Sequence, residues 1–215
     1  MLENYDGQME LGHAQIGLCH WLDRKSYEQE LRKFFVGASF GKIDPKGEAK
    51  VYLEKTPNNA RLLPVINTMF EDVLVLHVIR DPVQVVDSLI RASKGWGESW
   101  ATKSVRKATR SWIKAVSSAC RDGRRMGPRY FEFGYDRLMS DPGGLLAGIF
   151  DRLELEYDER VISDCIAQAS DTSDLPEGFV SGNSVEQTLG RIDRWRVRRR
   201  TKPVVEEFGL SFPGD

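Results

Sequence analysis

The chain has 215 residues, 40% of them hydrophobic, which is enough to bury one sizeable core, and a single domain over 1–215 is the default. A formal net charge of -1 excludes a global attraction to nucleic acid or to an anionic membrane surface, so charge carries meaning only where it is clustered. Cys19, Cys120 and Cys165 are too few and too widely spaced for a disulfide framework or a zinc site, and no apolar run approaches membrane length, so a reducing, cytoplasmic setting is expected.

Residues 11–36 repeat apolar side chains on a helical period: Leu11, Ile16, Leu18, Trp21, Leu22, Leu31, Phe34 and Phe35. "GKIDPKGEAK" breaks that pattern. "VYLEK" then predicts a short strand, and "TPNNARLLPVINTMF" a helix with Thr56 as N-cap, Pro57 at the first position and a bend at Pro64. "DVLVLHVI" is apolar almost throughout, the pattern of a parallel-sheet strand covered on both faces. Asp81 caps the next helix and Pro82 opens it, with Val83, Val86, Leu89 and Ile90 as its buried stripe. Residues 99–122 predict a long helix burying Trp100, Val105, Trp112, Ile113 and Val116. "RYFEFGY" predicts another strand, and "DPGGLLAGIFDRL" and "DERVISDCIAQA" two more helices. From Asp171 the pattern thins into a loop, followed by the basic segment 191–202. Strands alternating with helices predict an α/β class with a parallel sheet.

Two predicted strands end alike, in Glu54-Lys55-Thr56-Pro57 and in Arg80-Asp81-Pro82. Each puts a cation at the carboxyl edge of the sheet, where open α/β folds bind ligands, and then starts a helix whose N-terminal end is electropositive. A guanidinium grips a phosphate through two parallel N–H bonds, and Ser88, on the second turn of the following helix, adds a hydroxyl. Each residue also has a plain reading. Arg80 pairs with a carboxylate, Asp81 only caps, Ser88 bonds back to its own helix and Lys55 is a surface lysine. The combination favours a phosphate.

In that combination, "EKTPNNARLLPVINTMFEDVLVLHVIRDPVQVVDSL" resembles the PAPS-dependent sulfotransferases. Their strand ending in Arg-Asp-Pro, with a serine eight residues after the arginine, is matched by Arg80 and Ser88; the resemblance implies that these two hold the 3′-phosphate of the donor. Lys55, Thr56 and Pro57 match the family's Lys-Thr-Pro, which implies a catalytic role for Lys55 beside the sulfuryl group. "YDRLMSDPGG" is similar to the family's Tyr-Glu-Asp-Leu…Asp-Pro segment, with Asp136 and Arg137 replacing the usual Glu and Asp, and implies that Tyr135 lies near the adenine. "SVEQTLGRIDRWR" resembles the C-terminal phosphate loop, where Arg191 assists, although Ile192 and Asp193 intervene before Arg194 and Trp195. The resemblance spans 51–195. It implies a three-layer α/β/α domain of the P-loop nucleotide-hydrolase-like kind, PAPS as co-substrate, no metal, and a small-molecule or glycan acceptor.

No stretch reads as the family's glycine-rich phosphate loop; "GASFGK" is nearest and lacks the Ser/Thr after Lys42. The expectation is therefore an N-terminally truncated domain, inactive as an isolated chain and either poorly soluble or a homo-oligomer that fills the gap. Glu3, Glu10 and His13 fall where the family's catalytic base lies, and the sequence does not choose among them. The rival readings are a non-catalytic nucleotide-binding or interaction remnant of the same fold, and a nucleic-acid binder using residues 191–202. The face made by Lys103, Arg106, Lys107, Arg110 and Lys114 reads either as solvated or as a greeting for an acidic acceptor.

Overall fold

The computed structural model describes residues 10–11, 14–15, 23–41, 44, 46–170 and 188–212. It divides into two units, Met1–Val73 and Leu74–Asp215. In the first, β1 (Glu10–Leu11) pairs antiparallel with β2 (Ala14–Gln15), and α1 spans Arg24–Ser39. The helix expected over 11–36 is thus corrected: Leu11 lies in a strand pair, and the helix begins only after Asp23, whose carboxylate accepts from the Ser26 N–H at 3.0 Å. Ile16, Leu18, Trp21 and Leu22 lie outside the described residues.

The strand expected at "VYLEK" is also corrected. Residues 51–56 form no strand, and Leu53 is 80% exposed. Tyr52 instead stacks on Phe40 at 4.5 Å and donates to Asp44 Oδ2 at 2.8 Å, while Asp44 also accepts from the N–H groups of Glu48 and Ala49. A carboxylate that gathers nearby donors competes with ladder formation, and here it prevails. The predicted helix over 56–70 becomes a 3-10 turn (Pro57–Arg61) followed by α2 (Leu63–Met69). Pro64 has no N–H to continue the preceding turn, but it suits the first turn of a new helix. Thr56 does not cap through its side chain; its hydroxyl donates to Glu54 at 2.5 Å.

In the second unit the order is β3 (Val75–Ile79), α3 (Pro82–Ala92), α4 (Val105–Gly123), a 3-10 segment (Arg124–Arg129), β4 (Tyr130–Gly134), α5 (Tyr135–Ser140), α6 (Pro142–Arg152), α7 (Glu159–Ser170) and α8 (Arg191–Phe208). The class is mixed α/β. Among the described residues the parallel sheet is β3 beside β4, with Val75 opposite Tyr130 and Ile79 opposite Gly134. The two-residue period sorts the side chains. Ile79 packs with Trp112, Val116 and Cys120 of α4 and Val204 of α8, whereas Leu76, Phe131 and Phe133 pack with Leu145 and Ile149 of α6. Cover on both faces is incomplete, because Val78 remains 44% exposed.

Helix starts in this unit follow local rules. Asp81 accepts from the Gln84 N–H and Asp141 from the Gly144 N–H, both at 2.9 Å, and each precedes a proline at the first helical position. Val83, Val86 and Ile90 are buried as the periodicity predicts. The long helix begins at its Ser104 cap rather than at 99, and Trp100 is a correction: it is 58% exposed, lying against Trp96 with ring centroids 5.1 Å apart. Segment 191–202 forms the first two-thirds of α8, which the basic composition concealed. Val197, Thr201 and Val204 make its buried stripe, and Gly209, at φ 60°, ends it in the left-handed conformation that glycine takes without strain. No helix among the described residues is long and apolar enough to cross a membrane.

Candidate functional site

Parallel pairing in this register has a direct chemical consequence. Because Ile79 and Gly134 close the ladder side by side, the next residue of each chain, Arg80 and Tyr135, emerges at the same carboxyl edge. The Arg80 guanidinium lies over the Tyr135 ring, 4.2 Å from its centroid, and its Nε donates to Gln84 Oε1 at 2.8 Å. Its backbone is held as well, since Trp112 Nε1 donates to the Arg80 carbonyl at 3.0 Å. Among the described residues neither Nη atom of Arg80 has a hydrogen-bond partner and no carboxylate pairs with it. The plain reading of Arg80 as half of an ion pair therefore finds no partner there. What remains is a half-buried guanidinium fixed in orientation, with its two-pronged end open.

Ser88 is half-buried on α3, and its hydroxyl likewise has no partner among the described residues. The residue before it, Asp87, is buried and binds the chain just ahead of α8: Thr188 N–H and Oγ1 and Leu189 N–H all donate to its Oδ1, at 2.9, 2.7 and 2.9 Å. Arg191 is exposed at the first position of α8. Arg80 and Tyr135 are in direct contact, and Ser88 and Arg191 are carried by elements that Asp87 ties together. Lys55 is exposed in the first unit and has no partner among the described residues. Glu3 and His13 lie outside the described residues, and Glu10 lies in β1. Lys103, Arg106, Lys107, Arg110 and Lys114 are all exposed along α4 and the turn before it. A surface hollow lined by Gly143, Ala147, Tyr157 and Ile162 lies between α6 and α7 and includes none of these residues.

Sequence reasoning missed a second polar cluster on the α4 side of the sheet. Its single clue was a histidine inside an apolar strand. His77 Nδ1 and the Tyr130 hydroxyl are 2.5 Å apart, and that hydroxyl donates to Glu132 Oε2 at 3.1 Å. Cys120 Sγ also donates to Oε2 (3.4 Å), and Arg124 donates to both carboxylate oxygens, to Oε1 at 2.7 Å. The donors balance when His77 is neutral with its proton on Nδ1. Burial drives the His77 imidazole down to about 4, against the pull of Glu132, and pushes the Cys120 thiol up to about 12 and the Tyr130 phenol well above its usual value. Burial alone would raise Glu132, but hydrogen bonds from Arg124, Cys120 and Tyr130 together hold it below the ordinary carboxylate range. The donor atoms of His77, Cys120 and Glu132 lie within 4.8 Å of one another. Yet a divalent ion would have to displace Arg124 from both carboxylate oxygens and ionise a thiol titrating near 12. These groups form a closed hydrogen-bond network that joins α4, the sheet and, through Arg124 and the Phe208 carbonyl at 2.9 Å, the end of α8.

The model of the sulfotransferase family matches residues 3–159, a span that holds Lys55, Arg80, Ser88 and Tyr135 and stops short of Arg191. No curated protein matches the chain.

Proposed function

This chain belongs to the sulfotransferase family, and we propose that its second unit holds the 3′-phosphate of PAPS between Arg80 and Ser88. Arg191 assists from the start of α8, Tyr135 lies beside the adenine, and Lys55 serves the reacting end. On this reading the unit is part of a three-layer α/β/α domain of the P-loop kind, with no metal in the reaction. A hydroxyl or amine of a small molecule or glycan attacks sulfur in line. The S–O bond to the 5′-phosphate breaks with its electron pair passing to the phosphate oxygen, and the acceptor proton goes to a base not yet assigned. An ammonium at Lys55 would stabilise the charge that develops on the bridging oxygen.

One observation supports the phosphate site above the rest. Arg80 is fixed by Gln84, Tyr135 and Trp112 while both of its Nη groups stay unengaged by described residues. A preoriented fork loses little freedom on gripping a phosphate, so more of the charge-assisted hydrogen bonding survives as affinity. A second reading, a non-catalytic nucleotide-binding remnant, uses the same site. On that reading Arg80 and Ser88 grip the phosphate and the exposed Lys55 plays no part.

Binding is therefore the property to measure. Titration calorimetry with adenosine 3′,5′-bisphosphate should show Arg80→Ala losing about 2–4 kcal/mol, the order expected for one partner of a charge-assisted phosphate contact. Arg80→Lys should recover only part of it, because an ammonium cannot form the fork. Unchanged affinity in Arg80→Ala would remove the site assignment.

A further inference from the structure

Asp87 is 4% exposed, and a carboxylate at that depth survives only if donors replace its water. Three of its four donors come from a segment 101 residues further along the chain, all on one oxygen: the Thr188 N–H, the Thr188 hydroxyl and the Leu189 N–H. Arg91 Nε meets the other oxygen at 3.2 Å. Leu189 completes the attachment by burying its side chain among Val83, Val86 and Ile90 of α3, Ala108 of α4 and Val197 of α8. One residue after Asp87 comes Ser88; two residues after Leu189 comes Arg191, the first residue of α8.

We propose that Asp87 is a positioning residue for the nucleotide site: it latches residues 188–190 onto α3, so that the start of α8, with Arg191, is presented beside the turn that carries Ser88. The proposal rests on the reading of Arg80 and Ser88 as a 3′-phosphate site. Charge gives it a distinctive sign. Asp87 is itself an anion, so by field alone its removal would strengthen the binding of a phosphate nearby. By position its removal weakens that binding, because the cation it holds in place is released. The two effects oppose each other, and the latch requires that position win.

The readout is the preference for adenosine 3′,5′-bisphosphate over adenosine 5′-monophosphate, a ratio of two dissociation constants that isolates the 3′-phosphate from general loss of stability. Asp87→Ala and Leu189→Ala should each lower this ratio roughly tenfold, about the worth of one charge-assisted contact. Asp87→Asn keeps one carbonyl oxygen for the three donors and should lower it less. Ile149→Ala, a core change on α6 away from the latch and from the residues that hold Arg80, should lower the melting temperature and leave the ratio alone. Without any nucleotide, hydrogen exchange at the amides of Thr188 to Arg191 should speed up in Asp87→Ala. If the wild type prefers the bisphosphate and Arg80→Ala abolishes that preference, while Asp87→Ala keeps or raises it, the latch is overturned and the phosphate site stands. A wild type with no preference overturns both. Unchanged exchange in Asp87→Ala overturns the latch whatever the nucleotide data show.

Discussion

Replacing His77 with asparagine should flatten the acid side of the stability profile. In the folded chain His77 is neutral, with a value near 4 instead of the ordinary 6.5, because burial between β3 and α4 penalises the imidazolium more than Glu132 favours it. The unfolded chain takes up a proton on this side chain as pH falls through 6.5, and the folded chain does so only near 4. Stability is therefore fully present above about 6.5 and is lost between that value and about 4. From pH 7 to pH 5 the difference in bound protons amounts to about 2 kcal/mol. Asparagine places an N–H donor toward the Tyr130 hydroxyl but carries no titrating group, so the variant is weakened by a constant amount and loses the slope. Urea unfolding at pH 7 and pH 5, extrapolated to water for wild type and His77→Asn, measures it. The expected outcome is a pH-dependent loss about 2 kcal/mol smaller in the variant. Equal losses in both proteins would mean that His77 is not held neutral by burial, and the proton assignment along His77, Tyr130 and Glu132 would fail with it.

Three further outcomes follow from the same packing. Gly123→Ala would place a Cβ 2.1 Å from Tyr130 Cε2, on a ring whose hydroxyl is tied to His77 and Glu132; the helix-propensity gain of about 1 kcal/mol should be outweighed by overpacking, and a urea midpoint above wild type would contradict this. Trp112→Phe removes the donor to the Arg80 carbonyl and should cost about 1–3 kcal/mol in the same assay, whereas a neutral result would mean that water satisfies that carbonyl equally well. Cys120 is fully buried and its thiol titrates near 12, so iodoacetamide at pH 8 should leave it unmodified in the native protein and alkylate it in urea, as read by peptide mass spectrometry; native-state labelling at the rate of half-buried Cys165 would refute its burial.

Features that depend on residues three or four apart were legible in the sequence. Asp81-Pro82 and Asp141-Pro142 announce helix starts because the capping carboxylate and the amide it accepts from lie within one turn. The strand ending at Arg80 is visible as an apolar run bounded by that cap, and its Arg-to-Ser spacing carries the family resemblance, since both depend on consecutive residues. Where a local signal had a local competitor, the reading failed. "VYLEK" has strand composition, but Asp44 draws Tyr52 and the amides of Glu48 and Ala49 to itself. Trp100 has the right period for a buried helix residue, but the Ser104 cap starts the helix beyond it.

Partners far apart in the chain were settled by tertiary structure alone. Nothing local pairs Arg80 with Tyr135; the parallel register of β3 and β4 does, by bringing the two strand ends level. Composition marks 191–202 only as basic, and it becomes a helix with an apolar stripe because α3 and α4 supply a surface for Val197 and Val204. Asp87 reads as an ordinary polar residue of an amphipathic helix until Thr188 and Leu189 arrive to solvate it. Hydrogen bonds and side-chain contacts of this kind leave no periodic trace, because their spacing is set by the path of the intervening chain. The sequence by itself determined the helix starts at Asp81-Pro82 and Asp141-Pro142, the family the chain resembles and the strand that ends in Arg80. Which groups face that cation, and what holds them there, was decided by packing.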